Sequence, residues 1–308
     1  MSRNPVVVVG ASMLDLISYV PRLPKPGETL HGSSFHMGYG GKGANQAVMA
    51  AKLGSPVTMV AKLGTDVFGN GTVKNFQDHG IDTTHVHQTD DAFSGVAPIC
   101  VDADGRNAIV IVSGANELLS IEEVEAARAA IAASSVLVCQ LEIPLEVSLA
   151  ALRIAKEHGV RTILNPAPAR DDLPDEAYRL SDVFCPNEPE TELLTGAPLR
   201  TAADAIEQAE VLRGRGAGFV VLTLGERGCL VIDDEGSAAF ESPRVQALDT
   251  TGAGDAFVGS LAHYLAAGGS LRDAASQAVR VAALSVTKRG TQTSFPDQAA
   301  VAEQYPVS

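Results

Sequence analysis

The chain has 308 residues, and 45% of them are hydrophobic, which is enough for a continuous core and excludes a disordered chain. Asp and Glu number 37 against 23 Lys and Arg, so the formal net charge is −14. This charge repels polyphosphate and no run of Lys and Arg offsets it, so we expect no nucleic-acid partner.

No segment has the pattern of a membrane span or a targeting signal. The chain passes from Met1 through four residues into the apolar run 6–9, which leaves no room for a signal peptide. No stretch approaches the roughly 18 uncharged apolar residues that cross a bilayer. The four cysteines form no C-x-x-C pair, which argues against a zinc site or a redox motif. We expect a cytoplasmic protein without a membrane partner.

Short Val- and Ile-rich runs alternate along the chain with longer Ala-rich segments of helical period. In chain order the pattern predicts strands at residues 6–10, 57–61, 136–141, 161–164, 182–185, 219–224 and 229–232, with further strand propensity at 244–248. The helices that it predicts are residues 44–53, 67–79, 121–132, 145–158, 202–215, 256–267 and 271–288. This alternation is typical of an α/β fold with three layers, in which helices cover both faces of a mainly parallel sheet.

Two stretches, residues 17–37 and 95–112, break the alternation and are polar at alternate positions. The second predicts strands at 96–101 and 108–112, joined by a turn rich in Asp and Gly. We interpret residues 11–40 and 95–113 as a small β-sheet lid over the carboxyl edge of the main sheet, where open α/β folds bind ligands. No Pro/Gly/Ser linker divides the chain, so residues 1–308 are expected to form a single domain.

A glycine-rich loop precedes the first predicted helix and matches G-x-G-x-x-G: Gly38-Tyr39-Gly40-Gly41-Lys42-Gly43. A dinucleotide fingerprint follows the first strand at once, but here a polar stretch of more than twenty residues intervenes after Val9. A Walker A loop is excluded because Gly43 follows the lysine instead of Ser or Thr. Lys42 and Asn45 lie at the start of the helix and suit a hydroxyl-rich ligand, although a plain tight turn remains the alternative.

A second loop of small residues opens the helix at 256–267: Asp249-Thr250-Thr251-Gly252-Ala253-Gly254-Asp255. The N–H groups of Gly252, Ala253 and Gly254 can point at an anion, and the helix dipole adds positive potential there. A carboxylate beside an anion site repels the ligand unless it has a chemical role. Accepting the proton of an attacking hydroxyl in phosphoryl transfer fits Asp255, and capping of the helix is the alternative.

The segment Gly40-Gly41-Lys42-Gly43-Ala44-Asn45-Gln46 and the second loop together resemble the two signatures of the ribokinase family of carbohydrate kinases. The similarity covers nearly the whole chain, and four further segments share it: Gln140-Leu141-Glu142, Asn165-Pro166-Ala167-Pro168-Ala169, Pro186-Asn187-Glu188-Pro189-Glu190 and Thr223-Leu224-Gly225-Glu226-Arg227-Gly228. The resemblance implies a homodimer that forms through the lid, and transfer of the γ-phosphoryl group of ATP to O5 of D-ribose. 2-Deoxy-D-ribose, or another sugar or nucleoside, is the alternative substrate.

The resemblance also implies the residues of three sites. The sugar site would comprise Met13, Asp15, Gly41, Lys42, Gly43, Ala44, Asn45 and Glu142. The nucleotide site would comprise Asn187, Glu190 (near Mg²⁺), Thr223, Leu224, Gly225, Glu226, Arg227, Gly228, Gly254 and Val279. A K⁺ site would comprise Asp249, Thr251, Ser285, Lys288, Gly290 and Ser294. Without the resemblance, these residues could have purely structural roles. Asp15 could lie in a turn, Glu142 could be a solvent-exposed charge at a strand end, and Asn187 and Glu190 could form a helix-capping pair.

Two positions depart from the pattern of the family. Val279 falls where relatives tend to place His or Asn against the adenine, so the expected contact is apolar. Met13 falls where bacterial ribokinases place an Asn that contacts the sugar, whereas animal ribokinases and deoxyribokinases share the Met. A silent sugar-binding regulator and an oxidoreductase are the competing functions from other classes. The first leaves the intact Asp255 loop unexplained, and the second rests on the G-x-G-x-x-G match alone.

Overall fold

Thirteen strands and eleven α-helices follow one another in residues 5–306, the part of the chain that the computed structural model describes. The strands are β1 (Val6–Val9), β2 (Met13–Tyr19), β3 (Ser34–Gly40), β4 (Val57–Gly64), β5 (Asp82–Thr89), β6 (Gly95–Val101), β7 (Asn107–Ile109), β8 (Val136–Cys139), β9 (Arg161–Leu164), β10 (Val183–Phe184), β11 (Phe219–Thr223), β12 (Cys229–Asp233) and β13 (Gly236–Phe240). The helices are α1 (Lys42–Lys52), α2 (Val67–Asp78), α3 (Ile121–Ala126), α4 (Arg128–Ala132), α5 (Leu145–Glu157), α6 (Asp175–Arg179), α7 (Glu188–Thr195), α8 (Ala202–Gly214), α9 (Ala253–Ala266), α10 (Leu271–Ser285) and α11 (Gln298–Gln304). None of these helices is both long enough and apolar enough to cross a membrane.

The main sheet has nine strands in the order β13-β12-β11-β10-β9-β8-β1-β4-β5. The strands from β5 to β11 run parallel, and β12 and β13 form an antiparallel edge. In the central strand β1, Val6 and Val8 face one core while Val7 and Val9 face the other, as the period of a strand requires. Helices α1, α9 and α10 cover the first face, and α5 and α8 cover the second. The predicted three-layer α/β/α fold is confirmed.

The lid is a second sheet of four strands in the order β3-β2-β6-β7. Strand β2 pairs antiparallel with β3 and parallel with β6, so Met13 lies opposite both Gly40 and Gly95. The Asn116 side chain fixes the junction of the two sheets, because its Oδ1 accepts from Ser12 N at 2.9 Å and its Nδ2 donates to Ser12 O at 2.9 Å. The predicted hairpin of β6 and β7 is present. Strand β2 begins four residues after β1 ends, so this sheet lies beside the carboxyl end of β1.

The prediction fails in three segments, residues 244–248, 121–132 and 108–112. Residues 244–248 form no strand, because the backbone N–H of Leu248 donates to the carbonyl of Val286 beyond the end of α10 and not to a sheet. The helix predicted over 121–132 is divided at Ala127, where ψ is 1°. Strand β7 ends at Ile109, although a bridge between Val96 and Val112 continues its pairing.

Candidate functional site

The glycines before α1 bring its first turn against the end of β1. At Gly41, where φ is 87°, a Cβ atom would lie 2.8 Å from the backbone of Ser12 and Met13. At Gly43 a Cβ atom would lie 2.7 Å from the backbone of Gly10. Only glycine tolerates both the positive φ at position 41 and these close approaches. The loop therefore places Lys42 and the first turn of α1 at the carboxyl edge of the main sheet.

Lys42 lies among three carboxylates at this edge. Its backbone N–H donates to Glu142 Oε2 at 2.7 Å, so this carboxylate accepts one of the free donors at the start of α1. Burial lowers the pKa of the Lys42 ammonium, but Asp255, Glu142 and Glu190 outweigh burial and raise it. Burial raises the pKa of Glu142. The arrangement keeps a positive charge among these carboxylates at the carboxyl edge of the sheet.

Asp15 points from β2 toward the same edge. Its carboxylate lies 2.7 Å from the place that a Cβ atom would occupy at Gly40, so that glycine makes room for it. Burial, and then the charge of Asp255, raise the pKa of Asp15 to about 6. Met13 precedes it in the strand and is 5% exposed. A half-buried carboxylate and a buried thioether thus lie on the same face of β2, above the carboxyl end of β1.

Asp255 lies in the first turn of α9, and its carboxylate faces α1. Its Oδ2 accepts from Asn45 Nδ2 at 2.9 Å and its Oδ1 from Gln46 Nε2 at 3.0 Å. The two helices approach closely at Gly259, where a Cβ atom would lie 2.5 Å from Gln46 O. The carboxylate therefore receives its hydrogen bonds from side chains of α1, and no side chain caps the start of α9.

Gly252 begins α9 in the left-handed conformation, with φ of 77°. Of the three N–H groups expected to face an anion, that of Ala253 donates to Thr250 O at 3.2 Å. Within residues 5–306 no protein acceptor meets the N–H groups of Gly252 and Gly254. These two unpaired N–H groups and the helix dipole produce a positive potential at the N-terminus of α9.

A pocket joins Lys42 and Asp255 to the ends of neighbouring strands. Asn187 and Thr223 line it and are bridged to each other at the carboxyl ends of β10 and β11. Asn187 and Glu190 form a reciprocal capping box at the start of α7, with hydrogen bonds of 2.9 and 2.8 Å, so the structural role considered for this pair is real. Burial raises the pKa of Glu190 to about 7. Both residues of the box also face the pocket.

The other residues expected at a nucleotide lie farther from this pocket. Gly225–Arg227 is an exposed 3₁₀ turn directly after Leu224, and Arg227 forms a salt bridge with Glu188. Gly228 has φ of 94° and begins the return into β12. Val279 is 4% exposed and belongs to the core under α10. The structure therefore brings Asn187, Glu190, Thr223 and Gly254 together, but not Leu224, Gly225, Glu226, Arg227, Gly228 and Val279.

Asp249 connects the two segments that were expected to hold K⁺. Its Oδ2 accepts from Gly290 N at 2.9 Å and its Oδ1 from Thr251 N at 3.0 Å. Burial raises the pKa of Asp249, but these hydrogen bonds outweigh burial and lower it. Lys288 N lies 3.4 Å from Ser285 O, and the Ser294 hydroxyl donates to Thr291 O at 2.8 Å. The segment 285–294 thus folds against the loop that carries Asp255.

A family model identifies the protein family to which the chain and its site belong. The family model described as pfkB family carbohydrate kinase matches residues 3–298. The chain belongs to the pfkB family of carbohydrate kinases. The expected family is confirmed, and the oxidoreductase alternative is wrong because the glycine loop belongs to a kinase.

Several members of the pfkB family resemble the chain over nearly its whole length. Ribokinase of Mus musculus is 46% identical over 94% of this chain and 91% of that protein. Deoxyribokinase of Salmonella typhi is 44% identical over 94% of this chain and 95% of that protein. The structure of Arabidopsis thaliana ribokinase complexed with ribose and ATP matches with a TM-score of 0.92 and 31% identity over 99% of both chains.

Within this pfkB-family site, several polar residues were not identified as functional from the sequence. Thr250, Asn165 and Cys185 line the pocket. Gln46, Gln140, Asn165, Asn75 and Gln292 form buried hydrogen bonds behind Asp255 and Asn45. Gln46, Gln140 and Asn165 stand within the segments that carry the family resemblance, so their position was a usable signal. Asn75 and Gln292 had no local signal.

Proposed function

We propose that the chain transfers the γ-phosphoryl group of ATP to O5 of D-ribose and releases ribose 5-phosphate and ADP. The observation that carries the proposal is the position of Asp255, whose carboxylate is held by α1 at the wall of a pocket that also reaches Asn187 and Glu190. A relative named ribokinase is 46% identical, and a matching ribokinase structure holds ribose and ATP.

The chain's own residues would supply positioning and charge. The O5 hydroxyl attacks the γ-phosphorus, and its proton passes to the Asp255 carboxylate as the new O–P bond forms. The bond from the γ-phosphorus to the bridging oxygen breaks, and ADP leaves. Lys42 and the N–H groups of Gly252 and Gly254 face the charge that develops on the transferred group.

Asp15, Lys42, Asn45 and Glu142 would hold the sugar hydroxyls beneath the lid, with Gly41, Gly43 and Ala44 allowing close approach. 2-Deoxy-D-ribose is the second candidate substrate. One observation favours it, because Met13 is buried next to Asp15 and has no strong polar group for a 2-hydroxyl. The relatives named deoxyribokinase support the same alternative.

Mg²⁺ would neutralise charge on the nucleotide phosphates. Glu190 is 6% exposed and reaches the pocket, and its Oε2 accepts from the backbone N–H of Asn187 at 2.9 Å. One carboxylate that acts together with phosphates and waters is the usual arrangement for this ion. Glu190 therefore fits the role, directly or through a bound water.

K⁺ would bind between the segments that Asp249 joins. Its ligands would be side-chain oxygens of Asp249 and Ser294 and the carbonyls of Thr251, Ser285, Lys288 and Gly290, a set of oxygens that suits a large, weakly hydrated ion. The Ser294 hydroxyl donates its proton to Thr291 O, which leaves its lone pairs for a cation. The donor set fits K⁺.

We also propose that the chain is one domain that forms a cytoplasmic homodimer through the lid. Large apolar side chains are exposed on one face of the lid sheet, with Phe35 at 59%, Met37 at 55% and Val110, directly after β7, at 61%. An exposed apolar patch on a regular sheet is typical of an interface. The lid would then be covered on one side by its counterpart and on the other by the sugar.

ADP release with a panel of pentoses and hexoses tests the proposal. Ribose, or 2-deoxyribose in the second candidate, should give the largest kcat/KM, and removal of Mg²⁺ should abolish turnover. Replacing K⁺ by Na⁺ at constant ionic strength should lower the rate, because the cation loop adjoins the start of α9. A panel without sugar-dependent ADP release would reject the kinase, and equal rates in both salts would reject the K⁺ site alone.

Sugar binding is expected to weaken as the pH falls through about 6. The pKa of Asp15 is about 6, and only its ionised form offers all its lone pairs to sugar hydroxyls. The affinity for ribose, measured calorimetrically without nucleotide, should therefore be level above pH 7 and should approach a roughly tenfold loss per unit below the pKa. Asp15→Asn is the matched control and should bind weakly with little pH dependence. A wild-type affinity that is unchanged from pH 7.5 to 5 would contradict a role for this carboxylate.

A further inference from the structure

Two chains of side-chain amides end on the Asp255 carboxylate. In the first, Asn75 Nδ2 donates to Gln292 Oε1 at 2.9 Å, Gln292 Nε2 donates to Asn45 Oδ1 at 3.0 Å, and Asn45 Nδ2 donates to Asp255 Oδ2 at 2.9 Å. In the second, Gln140 Nε2 donates to Gln46 Oε1 at 2.6 Å, and Gln46 Nε2 donates to Asp255 Oδ1 at 3.0 Å. Neither Asn75 nor Gln292 lines the pocket.

The charge of Asp255 sets the direction of every hydrogen bond in these chains. An ionised carboxylate only accepts, so Asn45 and Gln46 must each turn their N–H₂ group toward it. Their oxygens then point away and need donors, which Gln292 and Gln140 supply. The same rule turns the Gln292 oxygen toward Asn75. An amide at the wrong angle, or reversed, would leave a carboxylate oxygen without its donor.

We propose that Gln292 is a positioning residue for the reaction, because it orients the Asn45 amide and through it the Asp255 carboxylate. The inference rests on the proposed function of Asp255 as the base. Gln292 is 6% exposed, and its side chain is bonded at both ends. The chain through Gln140 is a weaker candidate, since the Gln140 Oε1 atom is buried without a partner in residues 5–306.

Gln292 also connects the carboxylate to the segment after α10. The Lys52 ammonium donates to the backbone carbonyls of Gln292 and Phe295 at 2.7 and 2.9 Å, which fixes this segment against α1. Two residues before Gln292 in the same segment, the N–H of Gly290 donates to Asp249, which lies near the start of α9. A displacement of this segment would therefore move the Gln292 side chain, then the Asn45 amide, and through it the Asp255 carboxylate.

Gln292→Ala is expected to lower kcat by about 10- to 100-fold while the KM for ATP changes less than about threefold, because a misplaced base costs rate and not nucleotide binding. Thr293→Val is the matched control. Thr293 follows Gln292 in the same segment, is exposed, and donates only to Arg289 O at 3.3 Å. Its kcat should remain within about twofold of wild type. A Gln292→Ala enzyme with kcat within threefold of wild type would overturn the proposal.

A double variant separates positioning from a general structural role. If Gln292 acts through Asp255, Gln292→Ala should cause no further loss of kcat in an Asp255→Ala background. A further loss as large as that in the wild-type background would show that Gln292 acts elsewhere and would also overturn the proposal. The single-variant and double-variant kinetics both require that the wild-type enzyme turns over. If the proposed function is wrong, the wild-type enzyme will release no ADP in response to sugar, and this result will be seen before either variant is tested.

Gln292→Glu provides an isosteric test if the alanine variant does not fold. A protonated Glu at this position donates to Asn45 Oδ1 as the glutamine does, whereas an ionised Glu offers only acceptors and reverses the Asn45 amide. The charged groups around it are Asp255, one amide away, and the Lys52 ammonium on its backbone carbonyl. Its kcat should be at least tenfold below that of wild type at pH 8.5, where an ordinary Glu is ionised. A Gln292→Glu kcat within about threefold of wild type at pH 8.5 would refute the relay.

Discussion

Replacing Asp255 with Asn is expected to lower kcat by about 10²–10⁴ and to leave the binding of sugar and ATP largely intact. The carboxylate receives one amide N–H at each oxygen, and each oxygen retains a lone pair for the proton of the attacking hydroxyl. An Asn side chain cannot accept that proton, and its N–H₂ group faces a donor of Asn45 or Gln46. Steady-state kinetics and separate binding titrations measure the two quantities.

Asp273→Asn is the matched control for this substitution. Asp273 occupies the third position of α10, as Asp255 does in α9, but it is exposed and accepts from the N-cap residue Ser270. Its loss should reduce helix stability by roughly 0.5–2 kcal/mol without changing kcat. If Asp255 served only as a helix residue, the two variants would behave alike. Retention of more than about a third of the wild-type kcat in Asp255→Asn would remove Asp255 from the role of base.

The central strands were predictable because burial on both faces leaves a local trace. β1 and β8 are continuous apolar runs, and such runs between turn residues indicate buried parallel strands. The two strands at the edges of the main sheet, β5 and β13, were not predicted. Each is paired on one side only and half exposed, so polar and small residues are compatible with it. The short helices α6, α7 and α11 lack the length over which a helical period can be seen.

The candidate site was predictable where its residues form continuous motifs. Lys42 and Asn45 belong to one glycine loop and Asp255 to another, and the fold brings both to the carboxyl edge of the sheet. Gln292 and Asn75 could not be found in this way, because each is an isolated amide with partners 247 and 217 residues away in the sequence. A residue that acts through a tertiary contact leaves no mark on its sequence neighbours. The error at 244–248 has a related cause, since strand propensity takes effect only where a sheet edge is available to pair.

The choice between ribose and 2-deoxyribose depends on Met13 and Asp15, two positions on the same face of β2. Met13 is 5% exposed and offers a thioether, which packs against a sugar but forms no strong hydrogen bond. A pocket whose polar groups are left unpaired rejects a deoxy analogue by up to roughly 10⁴–10⁵, whereas loss of a contact that strands no partner costs about 0.5–1.5 kcal/mol. We therefore expect 2-deoxyribose to be a substrate, with kcat/KM within about 100-fold of that for ribose.

Met13→Asn is expected to shift the preference toward ribose. Asn is shorter than Met, so it fits between Gly40 and Gly95, where a Cβ atom at Gly95 would already lie 3.1 Å from Met13 Cγ. Its amide would bond the 2-hydroxyl and would be left unpaired by the deoxy sugar, which adds about 1–3 kcal/mol of discrimination. Met13→Leu keeps the volume and the apolar character, and should leave the ratio of the two kcat/KM values within about threefold of wild type.

If Met13 does not set the preference between ribose and 2-deoxyribose, Asp15 sets it. A hydrogen bond to a charged group contributes about 1.5–3 kcal/mol, so this carboxylate alone could select the 2-hydroxyl by roughly 10- to 150-fold. In that case Asp15→Ala would lower kcat/KM for ribose far more than for 2-deoxyribose, and Met13→Asn would change little. A wild-type preference for ribose beyond about 10³ that persists in Met13→Asn would assign the selection to Asp15 and refute the role of position 13. Equal losses for both sugars in Asp15→Ala would place this carboxylate on a hydroxyl that the two sugars share.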